Sequence, residues 1–246
     1  MKKALITIAA DPRETNGYYE MFRLAECTFR TYAEKWGYDY KSIWYDNIHV
    51  ERWPGIVSGR TGWQSFDNAR TRPYFMKIPA VAEMLESYDV VFYLDTDCLI
   101  LHDDRDILDS IPADKEIALN DIGWGPFSSV SVTRSSEMTR KFWRQVWDFE
   151  GWRQCKWIDN AGVLYHLGYT YDTDPIAHVR ETEYWPLFHR IQGDWIAEGV
   201  QDPGFPDREV MIFHLSHGRD AQWKVEHMRR EVERRGLGRK PRRVFT

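Results

Sequence analysis

Residues 88–101 read Tyr88-Asp-Val-Val-Phe-Tyr-Leu-Asp95-Thr-Asp97-Cys-Leu-Ile-Leu101. An apolar run, Val90 to Leu94, ends on two carboxylates, and a second apolar run, Cys98 to Leu101, follows at once. Five consecutive apolar residues suit a strand covered on both faces. Residues two apart in a strand project to the same side, so Asp95 and Asp97 are expected to face together from a strand end. A hard divalent cation takes oxygen ligands, and the oxygens of a diphosphate complete its shell. The triplet alone decides little, because the chain has 38 acidic residues and a solvated turn after a core strand reads the same way.

The flanking segments alternate between helix and strand signals. Lys3 to Ala10 reads as a buried strand: its apolar part is short and Asp11-Pro-Arg-Glu follows directly, which does not suit a secretory leader. Tyr18, Phe22, Ala25, Phe29, Tyr32 and Trp36 recur at helical spacing up to a stop at Gly37. Tyr40 to Tyr45 is a second strand, so a strand–helix–strand unit opens the chain. Glu51 to Asn68, with one Pro and three Gly, reads as loop, and a helix containing Pro79 runs from about Arg70 to Ser87. Further strands are expected at Ile117–Asn120, Ser128–Thr133 and Val210–His214, and helices at Ser136–Phe149, Trp157–Leu167 and Trp223–Arg235. The stretch between Tyr171 and Val210 reads as loop-rich. This is an α/β chain with a mostly parallel sheet, whose ligands sit at the carboxyl ends of the strands. Asp11, Asp95/Asp97 and His214 all fall at such ends, which points to one common crevice.

Composition sets the outer bounds. At 246 residues with 43% hydrophobic content, no low-complexity linker and no repeat, one large domain is expected over residues 1–224, followed by a basic helix and tail over 225–246. No stretch approaches the ~18 apolar residues of a membrane span. Cys27, Cys98 and Cys155 are odd in number and lack a Cys-x-x-Cys spacing, which argues against a disulfide framework and for a reducing, cytoplasmic setting. From Lys224 onward nine Lys/Arg face three Glu, a net +6, so the rest of a chain at −5 carries −11. That end is expected to be a solvated terminal helix with a basic fringe, nucleic acid or a lipid headgroup being the alternative contact. Of the 12 Trp, Trp143 and Trp147 read as packing, while Trp152, Trp157, Trp185 and Trp195 are candidates for a sugar-stacking platform.

The order of these segments resembles nucleotide-sugar glycosyltransferases of the GT-A fold. The block Tyr74-Phe-Met-Lys77-Ile-Pro79, an apolar helix, and then Tyr88 to Asp97 is similar to that of the galactosyl/xylosyl/mannosyltransferase family that includes xyloglucan xylosyltransferases, and to the glycogenin-like family. Arg134-Ser-Ser136, Asp159-Asn160 and Val210-Met-Ile-Phe-His214-Leu-Ser-His217-Gly218 continue the resemblance. It implies a single GT-A domain that moves a sugar from a nucleoside-diphosphate donor, UDP-linked, to an acceptor hydroxyl with retention of anomeric configuration. The acceptor would be a carbohydrate or lipid-linked saccharide.

The resemblance also implies roles for single residues. Asp95 and Asp97 form a DXD motif that holds Mn²⁺ or Mg²⁺ together with His214, or with His217 because the glycine after it stands one place later than in the family. Thr7, Ala9, Asp11, Lys77, Asp95 and Thr96 would line the nucleotide sugar, and Asp159, Asn160 and Lys77 would stand at the reacting carbon. An imidazole beside carboxylates favours Mn²⁺ over Mg²⁺. Two competing functions remain at this level: a non-catalytic sugar-nucleotide or glycan-binding module, and the same chemistry on modified DNA held by the basic tail.

Overall fold

The structure is a computed structural model that describes residues 1–8, 17–43, 73–121, 123, 125–151, 157–173, 175–198, 210–215 and 221–237. The expected loop at Glu51–Asn68, residues Ala9, Asp11, Trp152, His217 and Gly218, and the tail from residue 238 lie outside the described residues.

A six-stranded sheet forms the centre, in the order β2-β1-β3-β6-β5-β7. Its strands are β1 (Lys3–Ile8), β2 (Tyr38–Ile43), β3 (Val90–Leu94), β5 (Ile117–Asp121), β6 (Pro126–Arg134) and β7 (Phe188–Ile191). Five run parallel, and β6 alone is antiparallel to its neighbours β3 and β5. Alternation along the central strands divides the core. Ala4 and Ile6 of β1 and Val91 and Tyr93 of β3 face one core cluster, while Leu5, Val90, Phe92 and Leu94 face the other. All five residues of β3 are buried, which explains its unbroken apolar run.

Helices cover both faces. α2 (Pro73–Met84), α3 (Glu137–Asp148) and α4 (Ala161–His166) supply the first cluster; α1 (Tyr18–Trp36) and α5 (Ala221–Arg235) supply the second. Gly37 ends α1 at φ 68°, with its N–H donating to Ala33 O. Ser136 starts α3 in a capping box with Thr139, satisfying backbone N–H groups that a helix start leaves open. Trp143 and Trp147 of α3 are buried packing residues, as their spacing implied.

Three features depart from the sequence expectations. The span after Tyr171 is not only loop: it holds β7 and a short β8 (Ile196–Glu198). β8 belongs to a second, three-stranded sheet, in the order β4-β9-β8, with β4 (Cys98–Ile100) and β9 (Ile212–His214). The terminal helix is not a solvated appendage either. Val225 and Met228 of α5 lie in the second core cluster, Arg229 pairs with Glu20 of α1, and Arg234 and Arg235 pair with Glu231, so much of the basic surplus on this helix is neutralised within the fold. The helix itself runs across residues 224 and 225.

Candidate active site

The chain changes sheets at the Asp-x-Asp triplet. Strand β3 is bonded to β6 and ends at Leu94; β4 starts at Cys98 and is bonded to β9. Between them Asp95-Thr96-Asp97 makes a turn, closed by Cys98 N–H donating to Asp95 O at 3.1 Å. Both ends are anchored: Asp95 N–H donates to Ser129 O of β6 at 2.8 Å, and Leu215 N–H, just past β9, donates to Asp97 O at 2.9 Å. The two carboxylates are therefore not side by side on a strand, as alternation alone suggested. The turn sends each to its own set of partners, because the backbone must leave one hydrogen-bonded ladder for the other.

Asp95 turns toward α2. Its carboxylate accepts from Lys77 Nζ at 3.1 Å and from the Tyr93 hydroxyl. Lys77 also reaches Asp159 at 3.0 Å, so one lysine, its side chain 4% exposed, bridges two acids. Burial pushes the Lys77 ammonium down, yet the charges of Asp159 and Asp95 outweigh it and hold the group above its ordinary value. Burial, with the charge of Asp97, raises Asp95 against the pull of Lys77.

Asp97 turns toward the second sheet and α5. His214, paired with Cys98 across β4 and β9, places Nε2 3.3 Å from Asp97 Oδ1. Lys224, in the first turn of α5, places Nζ 2.7 Å from Oδ2. Burial opposes the charged carboxylate, but Lys224 and His214 prevail and hold it well below the usual range. Asp97, Cys98 and His214 offer ligand atoms that lie within 4.8 Å of one another.

The donor set fits a divalent cation. Asp97 is half-buried with its carboxylate favoured in the charged form, an imidazole nitrogen stands beside it, and Asp95 is near enough for its charge to be felt. Among the described residues of this cluster three carboxylates, Asp95, Asp97 and Asp159, face two ammonium groups, Lys77 and Lys224, leaving negative charge for a cation to offset.

Asn160 occupies a different position from the one its neighbour Asp159 suggests. Its Oδ1 accepts from Ser128 N–H at 3.1 Å and its Nδ2 donates to Pro126 O at 2.9 Å. It is buried and ties the start of α4 to the start of β6. Gly162, two residues on, allows α4 to approach α3: a Cβ there would lie 2.7 Å from Val146 O. These two contacts set where Asp159 sits.

Other candidates are distributed unevenly. Thr7 ends β1 on the same rim, fully buried, with its hydroxyl unpartnered among the described residues, and so are Ser128 Oγ and Asn120 Nδ2 at the rim ends of β6 and β5. Thr96 is half-buried in the turn. Trp157 lies edge-on to Phe127 at 5.5 Å, close to Asp159 in sequence. Trp185 instead stacks on His178, and Trp195 lies under the Arg105 guanidinium. Lys224 was missed by the sequence reading, which assigned it to a solvated end; a single lysine ten residues after His214 carries no local signal of its destination. Asn120 was missed too, although a polar Asn-Asp pair ending an apolar strand was a usable sign.

The fold has counterparts among solved structures. A glycosyltransferase involved in the glycosylation of the major capsid of PBCV-1 superposes with a TM-score of 0.56 at 13% identity, over 93% of this chain and 99% of that one. The chain has the GT-A fold. The glycosyltransferase GlyE of Streptococcus pneumoniae TIGR4 gives a TM-score of 0.51 at 12% identity, over 93% of this chain and 60% of GlyE. No family model matches the sequence, and no curated protein matches it. Among the described residues no helix is long and apolar enough to cross a membrane.

Proposed function

We propose that the protein is a metal-dependent glycosyltransferase that moves a sugar from a nucleoside-diphosphate donor, UDP-linked, to an acceptor hydroxyl of a carbohydrate or lipid-linked saccharide with retention of configuration. The observation that carries this is Asp97, half-buried and held between His214 and Lys224 at the carboxyl rim of a GT-A sheet. Asp97 and His214, with Asp95, would hold Mn²⁺ or Mg²⁺, whose chemistry there is Lewis-acid support of the negative charge on a departing diphosphate.

The protein's own groups then position and neutralise. Lys77 keeps Asp95 and Asp159 in fixed places, and Asp159 faces the donor sugar, where its charge steadies positive character at the anomeric carbon. Thr7, Asn120 and Ser128 offer buried polar atoms along the rim, unpaired among the described residues, for donor hydroxyls. Trp157 and Phe127 wall the acceptor side.

Retention is supported by the state of the carboxylates. Inversion needs a carboxylate base aimed at the acceptor hydroxyl. Asp159 is engaged by Lys77. Asp194, a second carboxylate considered as a base, lies just before β8, at the end away from His214: its carbonyl accepts from Met211 N–H, whereas His214 is level with Glu198.

The test is binding and turnover on a panel of UDP-, GDP-, TDP- and CMP-sugars with and without Mn²⁺, followed by proton NMR of the product's anomeric signal. Metal-dependent stabilisation by a nucleoside-diphosphate sugar, and loss of transfer in Asp97→Ala with the protein still folded, are the expected results. Full turnover in Asp97→Ala overturns the assignment.

A further inference from the structure

Both carboxylates of the acidic turn already carry an ammonium group, and the two lysines differ. Lys77 bridges two acids from a helix buried in the core. Among the described residues Lys224 has one acidic contact, Asp97 Oδ2 at 2.7 Å, and its side chain is 14% exposed. Its four-carbon stem rotates freely compared with the backbone that carries it. That backbone is fixed, since Val225 and Met228 are in the core and Arg229 is paired with Glu20. Lys224 can therefore leave Asp97 without α5 moving.

Asp97 Oδ1 also lies 3.3 Å from His214 Nε2. A dication bound by these two groups would lie within a few ångströms of the Lys224 ammonium, and like charges at that distance repel strongly in a partly buried site. Both cannot be held by one carboxylate at full strength. An ammonium displaced from Asp97 on a short tether has an evident new partner at the same rim: the oxygens of a diphosphate.

We propose that Lys224 and the divalent cation are alternative occupants of Asp97, and that Lys224 couples cation binding to donor binding by passing from the carboxylate to the diphosphate. This rests on the function proposed above. Without donor, Lys224 competes with the metal and keeps its affinity low. With donor, the displaced ammonium is bound elsewhere and the competition ends. Metal and nucleotide then strengthen each other's binding by the same factor, as linkage requires.

The experiment measures Mn²⁺ affinity of the full chain by the electron paramagnetic resonance signal of free Mn²⁺, with and without UDP, for wild type, Lys224→Met and Lys224→Arg. In wild type UDP should tighten Mn²⁺ binding on the order of tenfold or more. In Lys224→Met, Mn²⁺ should bind the nucleotide-free protein about tenfold more tightly than in wild type, since a charge-assisted hydrogen bond no longer has to be broken. The tightening by UDP should shrink correspondingly. Lys224→Arg, which keeps the charge, should retain low metal affinity without UDP and guards against a folding defect in the methionine variant. If Mn²⁺ and UDP bind wild type but Lys224→Met shows unchanged or weaker Mn²⁺ affinity, or an undiminished effect of UDP, the coupling role is wrong while the proposed function stands. If neither wild type nor Lys224→Met binds Mn²⁺, both fall together.

Discussion

Replacing Lys77 with methionine separates the charge at this position from its volume. Methionine fills nearly the same space, so packing against Tyr93, whose ring lies 5.6 Å from Nζ, is largely kept. What is lost is the only ammonium contacting Asp95 and Asp159 among the described residues, at 3.1 and 3.0 Å. Removing one partner of a buried ion pair costs ~3–5 kcal/mol, chiefly through the unpaired charge left behind. Asp95 and Asp159 retain 24% and 19% side-chain exposure, so water relieves part of this and ~3 kcal/mol is expected.

In a chain of this size such a loss lowers Tm by about 6–12 °C. The pH dependence has a definite sign. Lys77 is held above its ordinary value, so its contribution is complete throughout pH 5–8 and is lost only as alkaline pH passes the folded value. In Lys77→Met, Asp95, already raised by burial and by Asp97, loses the opposing pull of Lys77 and rises further. The destabilisation therefore grows with rising pH, and should be about 1 kcal/mol smaller at pH 5 than at pH 8. Urea unfolding followed by tryptophan fluorescence at the two pH values measures both quantities. A loss under about 1 kcal/mol, or an equal loss at pH 5 and pH 8, would refute the view that Lys77 holds two half-buried carboxylates in place.

Two further substitutions test the support of Asp159. Asn160→Ala strands the Ser128 N–H and the Pro126 carbonyl in the interior and should cost ~2–3 kcal/mol, with weaker nucleotide-sugar binding as Asp159 shifts; thermal unfolding and calorimetric titration measure the two effects, and a near-neutral change would show that the amide is dispensable. Gly162→Ala puts a methyl group against Val146 O and should cost ~1–3 kcal/mol through displacement of α4, despite the ~1 kcal/mol that alanine's helix propensity returns; a more stable variant by calorimetry would mean that the helices separate freely.

How much of this was legible depended on whether the signal was local. Strand β3 and its acidic end were visible because five buried residues in a row leave an unmistakable pattern. Helix α1 was visible through its apolar spacing and its terminal glycine. β7 was not, because its burial falls at Phe188 and Ile191 with half-exposed and exposed residues between them, which is not alternation. β9 was expected within Val210–His214 and is found at Ile212–His214, but its pairing with the equally short β4 and β8 joins distant parts of the chain that no window spans. Lys77 was identified as a site residue, and its burial had a sign that could have been used: it sits within Phe75, Met76, Ile78, Ala80 and Val81, all buried, and a helix apolar all round has no wet face for a lysine. The separate destinations of Asp95 and Asp97 followed from the change of sheet, which the triplet itself does not encode.

That change of sheet bears on how the protein comes into being. The strands of the large sheet end with β7, so a ribosome delivers all of them before β9 and α5 exist. Asp95, Lys77 and Asp159 can meet as soon as those strands close. Asp97 has to wait, because His214 and Lys224 both arrive with the last part of the described chain. A nascent or truncated polypeptide ending before Ile212 would thus carry half of the cluster, with Asp97 lacking both of these neighbours, and the cluster would be completed only after Lys224 has been added.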